Sequence, residues 1–335
     1  MEQEQSGVIT KDKALYKVAE LATEKYDVQV DELVFLSEET NILYKLKDHL
    51  GYTYVMKIFQ EESSSLEDNL TEIFFMDIVN KANYVSAPRM ISGKDGEKLQ
   101  VIKSKYTSTP KRVALYSWLE GDDLEGNESE KRFIQLGELT ARLHKTTYGI
   151  QIPSKITPKT WDKVFYYQGE EAIYKHEKYQ KFLSKEYHQI MDGIIPFLND
   201  QLSTYYKNNN EDLQLIHGDL NPSNIKVNGE QMHLIDFEDS MFGLPIHDIS
   251  IMLYYYKYEE TQNFDEVKRF YFQGYRKVRD LPNITDYELE LFMTARRVNF
   301  LNYILEVSND PVDFIETSLP RVKEFVEKYN INLLK

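Results

Sequence analysis

The sequence predicts an α+β protein with a small antiparallel sheet in its N-terminal part and a mostly helical C-terminal part. Between about residues 30 and 116, short apolar stretches alternate with polar turns, a pattern typical of antiparallel strands. From about residue 129 onward, apolar residues recur mainly at helical spacing. A chain of 335 residues is long for one core and comfortable for two lobes.

The composition indicates a globular protein, because 41% of the residues are hydrophobic and 13% are aromatic. No apolar run approaches the roughly 20 residues that a membrane helix needs. The N-terminus, from Met1 to Ser6, is acidic and polar and lacks the features of a secretory signal. We therefore expect a cytoplasmic protein with no membrane partner. The absence of cysteine excludes thiolate metal sites.

The formal net charge of −15 argues against nucleic acid as a partner, because phosphate binding depends on clustered Lys and Arg. The same charge favours cationic over anionic substrates. An acidic balance that serves solubility alone is the alternative explanation. No pattern in the sequence indicates an oligomeric state.

The N-terminal elements can be predicted in order. A helix is expected from about Thr10 to Tyr26, because Leu15 and Val18 share one apolar face. A second helix is expected to begin near Glu72. Strands are expected at residues 34–36, 42–46, 52–59, 99–102 and 113–116.

Lys57 stands alone among apolar neighbours in one of these strands. Glu72 begins a helix that is apolar on more than one side. A carboxylate on the buried side of such a helix needs a partner, because unpaired burial is strongly unfavourable. Lys57 is the predicted partner of Glu72. The alternatives are Asp77 as the partner of Lys57, or no pair.

The C-terminal part is predicted to open with a helix from about Ser129 to His144, in which Gly137 permits close packing. We interpret His144 as a favourable contact with the helix C-terminus. Residues 155–207 carry aromatic residues at helical spacing, and a loop is expected at residues 238–248. Further helices are expected at residues 249–256, 265–277, 286–307 and 311–329.

The centre of the chain predicts a β-hairpin, with strands at residues 225–227 and 231–235 and the turn signal Asn228-Gly229. Asp219 and Asn224 precede the first strand and Asp236 follows the second, so antiparallel pairing would bring them together. Such hard oxygen ligands suit Mg²⁺, which takes few protein ligands beside phosphate and water. Any one of these residues alone could instead simply cap or shape a loop.

Two motifs resemble those of a known family. The run His217-Gly218-Asp219-Leu220-Asn221-Pro222-Ser223-Asn224, with Ile235-Asp236-Phe237-Glu238 after it, closely resembles the aminoglycoside phosphotransferase-like family, which includes choline and homoserine kinases. The resemblance implies a bilobal protein-kinase-like fold. Residues 1–116 would form the nucleotide-binding lobe, residues 117–335 the catalytic and acceptor-binding lobe, and about 117–121 the hinge.

The resemblance also implies an ATP- and Mg²⁺-dependent transfer of the γ-phosphoryl group to a hydroxyl of a small molecule. Asp219 would accept or hold the proton of that hydroxyl. Asn224 and Asp236 would bind magnesium, and Lys57, held by Glu72, would steady the phosphates.

Further residues receive supporting roles by the same resemblance. Ser37 and Asn41, in a turn without glycine, could donate hydrogen bonds to phosphate, although a plain hairpin turn is the alternative. His217 would orient the catalytic loop. Asp248 would brace that loop and cap the helix that follows it.

The acceptor is less well defined. Glu238 and Asp239 could meet a cationic group of the acceptor, and residues 155–207 could form part of its wall or a packed helical pair. Homoserine, amino alcohols, sugars and aminoglycosides are all compatible with the motifs. The alternatives are a bacterial protein kinase on the same fold and a kinase-like binding module without turnover.

Overall fold

The computed structural model describes residues 11–166 and 170–333, which divide into two compact units. The first unit runs to Gly121 and also contains the segments Ser154–Thr157 and His233–Glu238. The second unit contains the remaining residues. A sheet dominates the first unit and helices dominate the second, which confirms the predicted α+β fold class.

The sheet of the first unit is antiparallel and has six strands in the order β1-β2-β3-β6-β4, with β5 paired to β6. The strands are β1 (Val30–Glu38), β2 (Asn41–Asp48), β3 (Thr53–Phe59), β4 (Met90–Ile91), β5 (Gln100–Ile102) and β6 (Lys111–Ser117). Lys57 lies on the central strand β3, opposite Leu43 of β2 and Ala114 of β6.

Two helices complete the first unit, α1 (Lys11–Thr23) and α2 (Leu66–Ala82). Helix α1 packs its apolar face into the core of the sheet, as predicted, and Thr10 lies outside the described residues. Ser65 caps α2 by accepting a hydrogen bond from the backbone of Asp68. The sequence indicated that this helix begins near Glu72. Because α2 begins at Leu66, Glu72 instead lies in the middle of the helix.

Two small sheets involve the second unit. Their strands are β7 (Asp122–Asp123), β8 (Gln214–Ile216), β9 (Ile225–Asn228), β10 (Gln231–Leu234) and β11 (Met241–Gly243), in the orders β10-β9-β7 and β11-β8. The predicted hairpin is present as β9 and β10. The prediction of a continuous loop after Asp236 was wrong at β11, which pairs with β8. A three-residue strand has no pattern of its own and exists only through its partner.

Six helices form most of the second unit. They are α3 (Glu130–Thr147), α4 (Lys185–Asn208), α5 (Pro245–Tyr256), α6 (Phe264–Arg276), α7 (Asp286–Val307) and α8 (Val312–Lys328). In the parts of the chain that the structure describes, no helix is both long and apolar enough to cross a membrane.

The predicted helical character of residues 155–207 was wrong in its first half. Helix α4 begins only at Lys185, and the described residues before it contain two short 3₁₀ helices, Ile173–Lys175 and Glu177–Phe182. The aromatic side chains that suggested a helix, such as Trp161 and Phe165, are buried by tertiary packing. Tyr167, which shares their spacing, lies outside the described residues.

Helices α3 and α6 pack backbone against backbone. A Cβ atom on Gly137 of α3 would lie 2.0 Å from the carbonyl oxygen of Tyr271 on α6. In the same way, a Cβ atom on Gly274 of α6 would lie 1.9 Å from the carbonyl oxygen of Ile134 on α3. The close approach predicted at Gly137 is therefore confirmed, and it fixes the position of α3 on α6.

Candidate active site

The first group of candidate site residues surrounds Lys57, whose side chain is buried in the first unit. Its Nζ atom lies 3.1 Å from Oε1 of Glu72. The same Nζ atom is 3.4 Å from Oδ1 of Asp236 and 3.4 Å from Oε2 of Glu238. The predicted pair of Lys57 with Glu72 is present, and two further carboxylates share the ammonium group.

The electrostatics keep Lys57 charged. Burial alone would lower the pKa of Lys57, but Glu72, Asp236 and Glu238 together raise that pKa well above its usual value. Burial raises the pKa of Glu72, against the opposing effects of Lys57 and the hydroxyl of Tyr116, which donates to Oε1 at 2.7 Å. Three carboxylates around one ammonium leave an excess of negative charge, which suits a divalent cation.

Asp77, the alternative partner for Lys57, has a different neighbour. It forms an ion pair with Lys98. Asp77 follows Glu72 by five positions on α2 and so projects from another side of the helix. The structure therefore pairs Lys57 with Glu72 and not with Asp77.

Glu238 also holds the turn between β1 and β2. Thr40 Oγ1 donates to Oε1 of Glu238 at 2.7 Å, and Asn41 Nδ2 donates to Oε2. The amide oxygen of Asn41 accepts a hydrogen bond from the backbone of Gln60 at 3.3 Å. Asn41 and Lys57 therefore both donate to the carboxylate of Glu238. Ser37 lies within β1, after a shift in strand register, and not in the turn.

Asp236 stands in a strained and well-anchored segment. Its φ angle of +58° lies in the left-handed region, which Asp adopts at a cost of about 1–3 kcal/mol. Before it, the Leu234 N–H donates to the carbonyl of Ser86 at 2.9 Å. After it, the ring of Phe237 packs edge-on to Phe75, with 5.4 Å between centroids. These anchors fix the segment to the first unit on both sides of Asp236.

Asp219 is the centre of a second group, in the second unit. Its Oδ2 accepts hydrogen bonds from Nδ2 of Asn221 at 2.8 Å and from Nδ2 of Asn224 at 3.0 Å. Its Oδ1 accepts a hydrogen bond from Nη2 of Arg296 at 2.5 Å. Three side chains therefore hold the carboxylate in one orientation. No pattern in the sequence indicated Arg296, which lies on α7, far along the chain.

The amide nitrogen of Asn224 is directed toward Asp219. Its Nδ2 donates both to the carboxylate and to the backbone carbonyl of Asp219, the latter at 2.9 Å. These bonds leave Oδ1, the atom that a hard cation binds, outside the contact with Asp219. The chemistry of this donor fits magnesium. Because Asn224 belongs to the second unit and Asp236 to the first, their joint binding of one ion stays a prediction.

Over residues 11–166 and 170–333, no group of three or more His, Cys, Asp or Glu side chains could hold a metal ion by itself. A magnesium site that is completed by phosphate oxygens needs only one or two protein ligands. Asn224 and Asp236 remain the predicted ligands.

Asp248 braces the loop that carries Asp219. Its Oδ2 accepts the backbone N–H of His217 at 3.0 Å, and its Oδ1 accepts that of Gly218 at 2.9 Å. The ring of His217 is also buried, and its Nδ1 accepts a long hydrogen bond of 3.4 Å from the backbone of Asp219. The predicted bracing of the loop is present, because both loop N–H groups donate to the Asp248 carboxylate.

The predicted cap at Asp248 was wrong. Helix α5 begins at Pro245, and its N-cap residue, Leu244, makes no side-chain capping bond. Asp248 lies within the first turn, where a negative charge is favourable. Proline is well suited to the first helical position because it needs no hydrogen-bond acceptor there, which explains the earlier start.

His144 belongs to the same buried network, which sequence reasoning missed. Its Nε2 donates to Oδ2 of Asp248 at 3.0 Å, and its Nδ1 lies 2.8 Å from the hydroxyl of Tyr275. Burial lowers the pKa of His144 against the opposing effect of Asp248, which favours the neutral ring. Burial would raise the pKa of Asp248, but the bonds from His144 and the loop lower it. No local signal links residues so far apart in sequence.

Gly218 is required by its surroundings. Its φ angle is +82°, and a Cβ atom there would lie 2.1 Å from the carbonyl oxygen of Asp239. Asp239 also places its Oδ1 at 3.8 Å from Nζ of Lys159. Glu238 and Asp239 are adjacent in sequence, yet the first contacts Lys57 and the second contacts Lys159.

Two backbone N–H groups of the predicted hinge form hydrogen bonds within the first unit. The N–H of Ser117 donates to the carbonyl of Arg89 at 2.8 Å, and that of Trp118 donates to Thr53 at 3.0 Å. The family resemblance also implies that the backbone of residues 117–119 binds adenine, and this binding stays a prediction.

The sequence profile of the phosphotransferase enzyme family matches residues 34–281. The chain belongs to this family. The resemblance that the two motifs indicated is thereby confirmed, and so is the prediction that the protein is a phosphotransferase. A search of curated proteins found no match.

Solved structures share the fold over almost the whole chain. An amicoumacin kinase in complex with AMP-PNP and Ca²⁺ is 20% identical, with a TM-score of 0.75 over 95% of this chain and 94% of the other. A microcompartment-associated aminopropanol kinase is 18% identical, with a TM-score of 0.74 over 95% and 99%. A spectinomycin phosphotransferase is 13% identical, with a TM-score of 0.58 over 92% and 93%. These similarities confirm the protein-kinase-like fold.

Proposed function

We propose that this phosphotransferase moves the γ-phosphoryl group of ATP, in the presence of Mg²⁺, to a hydroxyl group of a small molecule. The observation that carries the proposal is the buried ammonium of Lys57, bonded to Glu72 at 3.1 Å and 3.4 Å from Asp236. In kinases a Lys held in this way meets the phosphates, and the neighbouring Asp meets the metal ion.

The roles follow from the two groups of residues. Lys57 binds the α- and β-phosphates, with Glu72 holding its position. Asn224 and Asp236 are the magnesium ligands, and a bound Mg²⁺ ion would neutralise charge on the phosphates. Asp219 orients the acceptor hydroxyl and takes its proton. Phosphoryl transfer depends mainly on positioning and on charge neutralisation, so this short list suffices.

On the nucleotide side, we also propose that Asn41 and Glu238 hold the turn between β1 and β2, which covers the phosphates. Glu238 accepts hydrogen bonds from Thr40 of the turn and from Asn41, the first residue of β2, which supports this side over the acceptor side. Ser37 remains a weaker candidate because it lies within β1. His217 and Asp248 act through the position of the catalytic loop.

For the acceptor, we propose a molecule that carries an amine near its hydroxyl. The net charge of −15 favours a cationic acceptor, and Asp239 is the acidic residue that we assign to its binding. The similar aminopropanol kinase is named for an acceptor of this class. A phosphotransferase that consumes ATP would work in the cytoplasm.

The test measures ATP consumption by the purified protein with Mg²⁺ and a panel of acceptors: 1-amino-2-propanol, homoserine, choline, a hexosamine, an aminoglycoside and a generic protein. One acceptor is expected to stimulate turnover. Asp219→Asn is expected to lower kcat by about 10²- to 10⁴-fold, because a positioned base contributes about this much.

A matched pair of variants on α2 tests the Lys57 group. Glu72→Gln is expected to lower kcat/KM at least about tenfold, because it removes the charge that positions Lys57. Asp77→Asn, five positions later, removes only the ion pair with Lys98 and should leave turnover unchanged. Stimulation by the protein substrate alone would favour a protein kinase. ATP binding without any turnover would favour a non-catalytic module.

A further inference from the structure

Arg296 is the most deeply buried charged neighbour of the candidate base. Only 5% of the residue is exposed, yet its Nη2 donates to Oδ1 of Asp219 at 2.5 Å. Its Nη1 donates to the hydroxyl of Tyr166 at 3.0 Å. The guanidinium also lies over the ring of Phe300, with 4.3 Å from Cζ to the centroid. The guanidinium of Arg296 is therefore held in place by Tyr166 and Phe300 while it donates to the carboxylate of Asp219.

Stability alone gives little reason for this arrangement. Removing a guanidinium from water is costly, and buried ion pairs can often be replaced by apolar residues without loss of stability. Nε of Arg296 is buried and has no hydrogen-bond partner among the described residues, so the site is not optimised as a structural ion pair. A role at Asp219 explains the position of Arg296 better.

The hydrogen bonds of Asp219 indicate what that role is. An ionised carboxylate has about four acceptor positions, two on each oxygen. Asn221 and Asn224 take both positions on Oδ2, and Arg296 takes one on Oδ1. One position on Oδ1 is left. The side chain of Asp219 is 21% exposed, so the carboxylate is not sealed in the core.

We propose that Arg296 is a positioning residue for phosphoryl transfer, which fixes the orientation of Asp219 so that its remaining Oδ1 position receives the acceptor hydroxyl. No covalent step involves Arg296 itself. Because the guanidinium compensates the charge of Asp219, an amine on the acceptor is bound by another residue. This inference rests on the proposed function.

The chain contains a matched control in the next residue. Arg297 is equally buried, with 4% exposed, but it stacks between the rings of Tyr254 and Tyr258 at 4.6 and 5.0 Å from their centroids. Replacing Arg297 removes a buried arginine from the same helix turn without removing the bond to Asp219. Any effect specific to Arg296 is thus separated from the general effect of losing such a side chain.

The experiment compares Arg296→Met, Arg296→Lys and Arg297→Met with the native chain, using Mg²⁺, ATP and the acceptor that stimulates turnover best. Arg296→Met is expected to lower kcat about 100-fold, as misplacement of a reacting group does, with KM for ATP within about threefold of native. Arg297→Met is expected to keep kcat within about threefold. Arg296→Lys should be intermediate, because Lys lacks the planar fork.

A rescue experiment separates positioning from a purely structural role, and thermal unfolding tests whether Arg296 and Asp219 interact. Added guanidinium ion should restore part of the kcat of Arg296→Ala, whereas it should not raise that of Arg297→Ala. In thermal unfolding, Arg296→Met and Asp219→Asn together should lower Tm by less than the sum of the single changes, because they remove the same pair. The thermal measurement requires no turnover.

The outcomes distinguish the two proposals. If the native chain phosphorylates an acceptor but Arg296→Met retains kcat within about threefold of native, or loses no more than Arg297→Met, the positioning role is overturned and the proposed function stands. If the native chain phosphorylates nothing, the proposed function fails and this inference fails with it. If Arg296→Met does not fold, Arg296→Lys decides by the same criteria.

Discussion

At the scale of single residues, the buried histidines show how burial sets protonation. His247 stacks on Trp161 at 4.4 Å between centroids, and its Nε2 lies 2.8 Å from the hydroxyl of Tyr206. Burial lowers the pKa of His247 to about 3, against a smaller opposing effect of Asp248. The folded protein therefore keeps this ring neutral at pH values at which the unfolded chain protonates it.

This difference predicts a pH dependence of stability. Between pH 6.5 and about 3 the unfolded chain binds a proton at His247 that the folded chain excludes, so stability is lost as the pH falls. From pH 7 to pH 5 the contribution is about 2 kcal/mol. Urea unfolding of the native chain and His247→Gln across this range measures it.

The quantity to compare is the difference between the native chain and His247→Gln. Glu170 acts in the opposite direction, because burial raises its pKa to about 7 and its contribution to stability falls as the pH rises from 4.5 to 7. The free energy of unfolding of the native chain, minus that of His247→Gln, should be about 2 kcal/mol smaller at pH 5 than at pH 7. Parallel curves would contradict the assignment of a neutral, buried His247.

Asp248 supports a second prediction at this scale. Asp248→Asn replaces one acceptor oxygen by an amide, and that amide would face either the N–H of Gly218 or the donors of His217 and His144. Buried donors without acceptors are costly, so we expect a loss of about 3–5 kcal/mol in the free energy of unfolding and a fall in turnover.

Chemical denaturation measures the effect of Asp248→Asn. The control is Asp265→Asn at the start of α6, where the side chain is 87% exposed and the expected change is within about 0.5 kcal/mol. Equal effects of the two substitutions would mean that the buried network contributes no more than a surface charge.

At the scale of elements, the close contact with α6 holds α3, the helix that carries His144. Gly137→Ala would place a methyl group 2.0 Å from the carbonyl oxygen of Tyr271, so the helices must separate. We expect a loss of about 3 kcal/mol or more in the free energy of unfolding. Helix propensity alone predicts the opposite sign, a gain of about 0.5–1 kcal/mol.

The comparison for Gly137→Ala is Gly193→Ala on α4, whose new Cβ atom would lie 2.5 Å from Cβ of Leu333 near the end of the chain. Leu333 lies after the end of α8, outside any helix or strand, so it can shift more easily than a packed helix and a smaller loss is expected. Thermal or urea unfolding of both variants provides the measurement. A stabilising effect of Gly137→Ala would show that α3 and α6 do not pack this closely.

At the scale of the whole molecule, the first unit is completed by a segment from much later in the chain. Residues His233–Glu238 supply the contact of Phe237 with Phe75 and the hydrogen bond from Leu234 to Ser86. They also supply two of the three carboxylates around Lys57. The unit is therefore not a contiguous stretch of sequence.

This organisation predicts the behaviour of a fragment. A chain that ends at residue 121 lacks the segment that covers Phe75, so it should unfold at a lower temperature than the first unit within the full chain. Addition of residues 233–238 through a flexible linker should restore part of the loss, whereas the same linker with Phe237→Ser should not. Calorimetry with circular dichroism measures the transitions. Equal stability of the short fragment would contradict the contribution of this segment.

The sequence by itself determined much of this protein. Apolar periodicity predicted most helices and strands, because each one buries a continuous face that is visible in local spacing. The motifs around Asp219 and Asp236 indicated the family, and the isolation of Lys57 and Glu72 among apolar residues predicted their pair. In these cases the evidence lies in neighbouring residues, or it comes from a buried charge that needs a partner of opposite charge.

Only the tertiary structure decided the remainder. Strand β11 exists through its pairing with β8, and Trp161 is buried without forming a helix. The bonds of His144 to Asp248 and of Arg296 to Asp219 join residues that are 104 and 77 positions apart. A buried polar side chain must find a partner, but local sequence does not specify which distant partner the packing of helices and loops brings within hydrogen-bonding distance.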